Sequence, residues 1–462
     1  MKKSNNKDLL ILLGIALFLR LIVLAFLKSW LNPYALEYGQ IAENILSGKG
    51  AAFNFYWLRE DSPLKSFMPP LFPYLLAFLI LTVSKPYFYL LLIQVVLSSL
   101  TSVIVYYIGS WLYERKVGLI AGLCIALHPA LIISSTWNFF YPSTIDIFFI
   151  SLLLLLTVKA GSSNRIYYFF ATGIVMGIVA LSLPQIIAFY PFIILWFFIN
   201  NVQGLIRKSI IVATMVVLTI SPWMIRNYSV HGQLTSIATN GGFNFWLGNN
   251  PFTTGIGWEI DENAYRRYAG NRHLDDSIFE PSMPDIKIYP EAFKSALKKK
   301  TDALLPRNIA DKIGKLPEVT LDSFLFQAGL NYIAEYPTAY MKRCLKKMLY
   351  LWVYRPTEGR RTFFAGMLGI FYVIQYAFLT PFVAGGVATS TPQNWRRPLI
   401  LYMIMIFFTL LYMNFFVLSR YRWLFEPYMI IVASSCIVFL WRKYCGHAAR
   451  KLFKRINYQI GI

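Results

Sequence analysis

The chain has 462 residues, of which 57% are hydrophobic, 17% aromatic and only 14% charged. A soluble domain normally carries about a quarter charged residues, so a water-soluble globular enzyme is excluded. The 44 Lys and Arg against 22 Asp and Glu give a net charge of +22, yet the basic residues cluster at the ends of apolar blocks, where they orient membrane spans; nucleic acid is excluded as a partner.

Met1-Lys2-Lys3 leads into an apolar stretch with no small-residue cleavage site behind it, so a first span is expected rather than a cleavable signal. Apolar runs then predict helices near 9–27, 70–84, 87–112, 117–135, 143–159, 166–183, 186–200, 208–225, 363–388, 398–418 and 424–441. A span needs about 20 residues, and 70–84 is shorter than that. If it lies on or dips into one face, Lys2, Lys3, Lys7, Arg115, Lys116, Lys159, Arg165, Arg207, Lys208, Arg396 and Arg397 all face the cytoplasm. Were it to cross, every cluster after the first would land outside, against the positive-inside rule. The expected fold is an all-α polytopic membrane protein with about 10–11 transmembrane helices.

This topology divides the chain into four parts. Residues 1–226 form an N-terminal transmembrane module with a first outer loop at 28–86, and 227–361 form a periplasmic segment. Residues 362–441 return to the membrane, and 442–462 form a basic cytoplasmic tail. The segment 227–361 holds 14 of the 22 acidic residues. It ends in a tract where Lys342, Arg343, Lys346 and Lys347 alternate with Met341, Leu345, Met348 and Leu349, the spacing of an amphipathic helix resting on a membrane surface.

Ionisable groups near span ends on one face are the candidates for chemistry, because a charge near the bilayer is costly and tends to be functional. On the outer side these are Glu37, Glu43, Glu60, Asp61, Asp146, Arg226, Arg420, Arg422 and Glu426. Carboxylates and arginines gathered there can take a proton from a hydroxyl and grip a phosphate. Asp146, set between two apolar runs, has the strongest case. Glu43 lies six residues beyond Glu37, so on one helix the two point to nearly opposite sides. Glu60 and Asp61 read as a solvated loop, and Arg20 inside the first span as a paired or snorkelling residue. The four histidines and four cysteines share no metal-ligand spacing. Asp275-Asp276 and the formal glycosylation acceptor Asn227-Tyr228-Ser229 are signals too short to carry weight.

Three stretches resemble one family, in the family's order. The first is Leu36-Glu37-Tyr38-Gly39-Gln40-Ile41-Ala42-Glu43-Asn44-Ile45-Leu46-Ser47-Gly48-Lys49-Gly50, followed by Met68-Pro69-Pro70-Leu71-Phe72-Pro73-Tyr74. The second is Pro222-Trp223-Met224-Ile225-Arg226-Asn227-Tyr228 with Asn240-Gly241-Gly242-Phe243-Asn244-Phe245-Trp246-Leu247-Gly248-Asn249-Asn250-Pro251 behind it, and the third is Arg420-Tyr421-Arg422 entering a span that contains Pro427. Together they resemble the GT-C membrane glycosyltransferases, in the bacterial branch of the protein-mannosyltransferase and aminoarabinose-transferase superfamily (glycosyltransferase family thirty-nine type). The resemblance implies a GT-C fold with amphipathic juxtamembrane helices and a polyprenyl-phosphate-linked sugar donor. The acceptor would be a lipid, glycan or protein on the periplasmic side of the inner membrane, and transfer would invert the anomeric centre. It implies an acid in the first outer loop and another opening the span after the short outer loop, which Asp146 matches. At the first position the sequence departs: Tyr34 stands where relatives carry aspartate, and Glu37 is the nearest acid. It departs again at Leu183, where relatives often carry Arg or Lys. Glu37 and Asp146 are thus the expected catalytic pair, with Tyr34, Tyr38, Arg226, Arg420, Arg422 and Glu426 binding substrate. No cofactor is required, although a divalent cation, with Asp146 as a ligand, is compatible with two carboxylates facing a phosphate. Membrane lipids are the remaining partner. The alternatives are a transporter or flippase of lipid-linked sugar, and a non-catalytic assembly subunit that keeps the fold.

Overall fold

A computed structural model describes residues 6–31, 33, 36–54, 63–137, 141–257, 259–262, 295, 299, 309, 312–352, 367–390 and 395–445. Among them the architecture is helical, with only isolated β-bridges such as Phe53 with Leu64 and Ile256 with Val417. The first half comprises α1 (Asn6–Leu27), α2 (Leu36–Leu46), α3 (Leu71–Thr82), α4 (Pro86–Leu112), α5 (Arg115–Ala126), α6 (Pro129–Trp137), α7 (Ser143–Ser163), α8 (Ile166–Ala180), α9 (Tyr190–Ile199) and α10 (Leu205–His231). There follow α11 (Gly241–Gly248), α12 (Glu318–Glu335), α13 (Pro337–Trp352), α14 (Met367–Ser390), α15 (Leu399–Asn414) and α16 (Glu426–Leu440). Short 3-10 turns at Pro184–Phe189 and Ser419–Leu424 precede α9 and α16.

Among the described residues four helices, α1, α4, α7 and α10, are each long and apolar enough to cross a membrane by length and composition, and a fifth span arises if the bent pair α5–α6 counts as one. The 24-residue α14, without a charged side chain, coincides with the apolar run expected over 363–388. Among the described residues α3, α8, α15 and the Pro184–Ile199 stretch are also apolar but have only 10–17 residues each. At about 1.5 Å per residue such helices fall short of a hydrocarbon layer of about 30 Å. The run expected as one helix over 117–135 is in fact two, bent by 47°. Pro129 has no N–H to donate into the preceding turn, so the last carbonyls of α5 need another partner. Arg20 supplies it: Nη1 donates to Ala126 O at 2.9 Å, Nη2 to Ile125 O at 3.2 Å, and Nε to Ser98 Oγ at 2.8 Å. Arg20 is therefore a fully buried cap on a broken helix, rather than a snorkelling residue.

Packing inside the bundle relies on small residues. Gly173 and Gly177, one turn apart on α8, face α10 so closely that a Cβ would sit 2.5 Å from Val212 O and from Thr219 Cβ respectively, a small-xxx-small contact that lets two backbones approach. At the other end of the bundle, Asp8 of α1 receives Arg115 Nε at 2.7 Å and Nη2 at 2.9 Å. These contacts leave α2, the stretch before α3, the start of α7, α11 and the 3-10 turn before α16 to converge on one cavity.

Candidate active site

The cavity has a volume of about 490 Å³. Its wall includes Glu37 and Tyr38 from the first turn of α2, Asp146 from the first turn of α7, Ser182 and Leu183 from the turn after α8, and Arg420 from the 3-10 turn. The structure thus brings together Glu37, Tyr38, Asp146 and Arg420, although some 380 residues of chain separate the first from the last. The wall also draws on Asn240, Phe243 and Tyr412, so the site extends beyond the 1–226 module into both later segments.

Each side chain owes its state to its neighbours. Glu37 opens α2, where a carboxylate suits the helix N-terminus. Its Oε2 is buried and has no hydrogen-bond partner among the described residues. Burial pushes this carboxyl above the usual range, and the nearby Arg420 guanidinium pulls it part of the way back. Tyr38 packs edge-on against Phe72, with ring centroids 5.2 Å apart. Burial, together with the Asp146 and Glu37 carboxylates, pushes its hydroxyl well above the ordinary value, so it stays a donor. Asp146, 6% exposed, accepts a hydrogen bond from Ser182 Oγ at 2.5 Å. The Arg420 guanidinium lies 3.6 Å over the Tyr141 ring and 5.6 Å from that of Tyr421. Stacking of this kind favours a delocalised planar cation.

The other expected binding residues lie elsewhere. Arg422 and Glu426 are fully buried and belong to an interior cluster away from the cavity wall. Arg422 Nε lies 3.6 Å from Glu426 Oε1, His128 Nε2 lies 3.2 Å from Glu426 Oε2, and the Arg422 guanidinium stands 4.3 Å over Tyr376. The expectation that Arg422 shares a phosphate with Arg420 fails on helical phase: at three residues per turn, positions two apart face different ways. Arg226 is also off the wall. Its Nη1 donates to Lys65 O at 2.9 Å and Ser66 Oγ at 2.8 Å, and its guanidinium covers Trp223 at 4.6 Å. Asn227 is wholly buried, with Nδ2 donating to Ser236 O at 2.9 Å, so the glycosylation reading of that tripeptide fails. Tyr34, Glu60, Asp61, Asp275, Asp276 and the tail 446–462 lie outside the described residues.

Sequence reasoning missed Tyr141, Ser182 and Gln185 on the wall. Ser182 adjoins Leu183, which stands out by departing from the family pattern, but nothing local marks a serine as the partner of an aspartate 36 residues away. No group of three or more His, Cys, Asp or Glu suited to a metal occurs among the described residues. Glu37 and Asp146 are the carboxylates on the wall.

Residues 68–225 match the family described as dolichyl-phosphate-mannose-protein mannosyltransferase. No curated protein matches the sequence. Among solved structures, the archaeal oligosaccharyltransferase AglB from Archaeoglobus fulgidus, in complex with an inhibitory peptide and a dolichol-phosphate, is similar over 99% of this chain and 52% of its own. The TM-score is 0.51 at 13% identity. Its apo form gives a TM-score of 0.52 at 13% identity, covering 97% of this chain and 52% of that one. The chain therefore spans about half the length of these oligosaccharyltransferases and shares the fold of that half. ArnT from Cupriavidus metallidurans bound to undecaprenyl phosphate is matched over 94% of this chain and 78% of that one, with a TM-score of 0.40 at 13% identity. The chain is a multi-pass integral membrane protein with a GT-C-like fold, and its residues 68–225 are similar to the dolichyl-phosphate-mannose-protein mannosyltransferase family.

Proposed function

We propose that the chain moves a sugar from a polyprenyl-phosphate donor to a hydroxyl of a lipid, glycan or protein acceptor, with inversion, in the cavity walled by Glu37, Asp146 and Arg420. The observation that carries this reading is the unpartnered, buried Oε2 of Glu37, on the same cavity wall as a second carboxylate and a stacked arginine. Glu37 takes the acceptor hydroxyl's proton as that oxygen attacks the anomeric carbon. The bond from the anomeric carbon to the phosphate oxygen breaks, and the phosphate leaves with the electron pair. Arg420 counters the charge that develops on it. Asp146, held in orientation by Ser182, positions the acceptor. If a divalent cation takes part, Glu37 and Asp146 would hold it, and it would supply additional charge stabilisation at the phosphate. The family match over residues 68–225 and the dolichol-phosphate named with the AglB structure support the donor class.

The distribution of Lys and Arg supports an inner-membrane location with 227–361 in the periplasm and the tail after Trp441 in the cytoplasm. It also supports the division into two transmembrane parts, 1–226 and 362–441, around that segment. A cysteine placed at Lys451 should resist an impermeant thiol reagent in intact cells, and labelling there would refute the orientation. The transfer itself is tested by mass spectrometry of envelope lipids and glycans from a deletion strain. Loss of one sugar substituent is expected, restored by the wild-type chain and not by Glu37→Gln. An unchanged profile, with no transfer by the purified protein from any polyprenyl-phosphate sugar, would overturn the reading.

A further inference from the structure

Two stretches that never meet in sequence form one edge of the cavity. One runs through Phe67, Met68 and Pro69, the other through Ala238, Asn240 and Phe243. They are tied to each other by Thr239 N–H donating to Ser66 O at 2.9 Å and by the Phe67 and Phe243 rings, 5.8 Å apart. Both also hang from α12, which lies off the cavity wall. Glu318, in the first turn of α12 and 9% exposed, accepts at both oxygens. Lys65 N–H donates to Oε2 at 2.6 Å, and Ser66 N–H and Thr239 Oγ donate to Oε1 at 2.8 and 2.5 Å. One turn further on, Asp322 Oδ1 accepts from Gly242 N–H at 2.5 Å. The approach is so close that a Cβ on Gly242 would lie 1.8 Å from Asp322 O, which only glycine permits. Phe245 of α11 stacks on Phe326 of α12, with centroids 4.5 Å apart.

From this geometry we propose that Glu318 and Asp322 are positioning residues which hold both stretches of the cavity edge in register and so set the affinity for the sugar donor without touching it. The proposal rests on the transferase reading above. Bonds to a charged acceptor are about twice as strong as neutral ones, and here they converge from four backbone or hydroxyl donors on one face of one helix. Removing a carboxylate leaves amide groups without their acceptor and lets the edge shift by the small displacements to which substrate binding is sensitive.

The test compares Glu318→Gln, Asp322→Asn and the milder Thr239→Val with Ser323→Ala, an exposed control on the same helix. Each acid variant should raise the donor KM by about tenfold, the scale of one lost charge-assisted bond, with kcat changed by less than about threefold. In a background with the native cysteines replaced by alanine, a cysteine at Met68 should also react several-fold faster with a small thiol reagent in these variants. An unmoved KM with a lowered melting temperature would overturn the proposal, leaving the two acids as structural only. Should the wild type show no transfer, the transferase reading fails, and the Met68 cysteine still decides whether α12 sets the edge: unchanged reactivity overturns that. Should the acid variants not fold, Thr239→Val decides, a smaller shift of the same kind being expected and none being contrary.

Discussion

Arg420 and Arg422 stand two residues apart and belong to different chemistry. Arg420 stacks on Tyr141 at the cavity, on the same wall as a carboxylate oxygen that lacks a hydrogen-bond partner among the described residues. Arg422 lies in the bundle interior against Glu426 and Tyr376, with His128 on the other oxygen of the same carboxylate. Both regions hold charges that a membrane protein keeps only at a cost. In the interior that cost is offset by ion pairing at 3.2–3.6 Å and by the Tyr376 ring rather than by close hydrogen bonds, and this cluster fastens α16 to the break between α5 and α6. At the cavity Glu37 lines open space, so an oxygen without a hydrogen-bond partner among the described residues is able to act on something that arrives. A charge inside a membrane protein is thus diagnostic of chemistry only when its partners are known.

The comparison predicts opposite responses to substitution in the two regions. Asp146→Asn should lower turnover by about 10²–10⁴-fold if Asp146 positions the reacting hydroxyl, the range of general acid–base assistance. Glu426→Gln should leave turnover per folded molecule nearly unchanged; transfer rates normalised to folded fraction separate the two. Arg422→Ala should cost about 3–5 kcal/mol of stability by stranding a buried carboxylate, whereas replacing the whole cluster, Arg422→Met and Glu426→Leu with His128→Leu, should cost far less. Thermal unfolding in detergent reads this, and a neutral Arg422→Ala would break the contrast. Arg420→Lys keeps the charge but loses the planar fork, so donor affinity should fall by about tenfold; Arg422→Lys should not alter it.

The smallest effect expected is on pH dependence. Burial raises the Glu37 carboxyl, and the Arg420 guanidinium offsets this in part. The base is active only when ionised, so the acidic limb of the rate profile should lie above the ordinary glutamate range of about 4.3. The stability dependence runs the other way. A carboxyl that holds its proton more tightly when folded contributes stability that is complete at low pH and is lost as pH rises through its folded pKa. Glu37→Gln should abolish that loss, as seen in unfolding midpoints measured across the acidic range. Tyr38, Tyr141, Asp146 and Arg420, ionisable groups of the same cluster, remain in the variant.

Much of this site is legible in the sequence because helix ends and charges are local features. Glu37 opens a helix after the first span and Asp146 opens a later one, and their placement at similar depth follows from topology. The short α3 follows from its length alone. What stays hidden is phase and tertiary pairing. Arg422 looks equivalent to Arg420 until the 3-10 turn sets their directions apart. Arg20 reads as a paired or snorkelling residue, and only the break at Pro129 shows which carbonyls it caps. Ser182 and Glu318 are ordinary residues whose roles depend on partners 36 and about 250 residues away. Helix ends are also poorly legible, because an apolar run such as 117–135 does not reveal the break within it.

The central claim is that Glu37 takes over the work of the acid missing at Tyr34. The most direct test is the transfer rate of purified Glu37→Gln protein in detergent, at saturating polyprenyl-phosphate sugar and normalised to folded fraction. The amide keeps the shape of the side chain and removes the proton acceptor, so a loss of about 10²–10⁴-fold is predicted, with donor affinity little changed. A near-wild-type rate would contradict the account: Glu37 would then be a helix-terminal residue, and the base would have to be sought at Glu60 or Asp61.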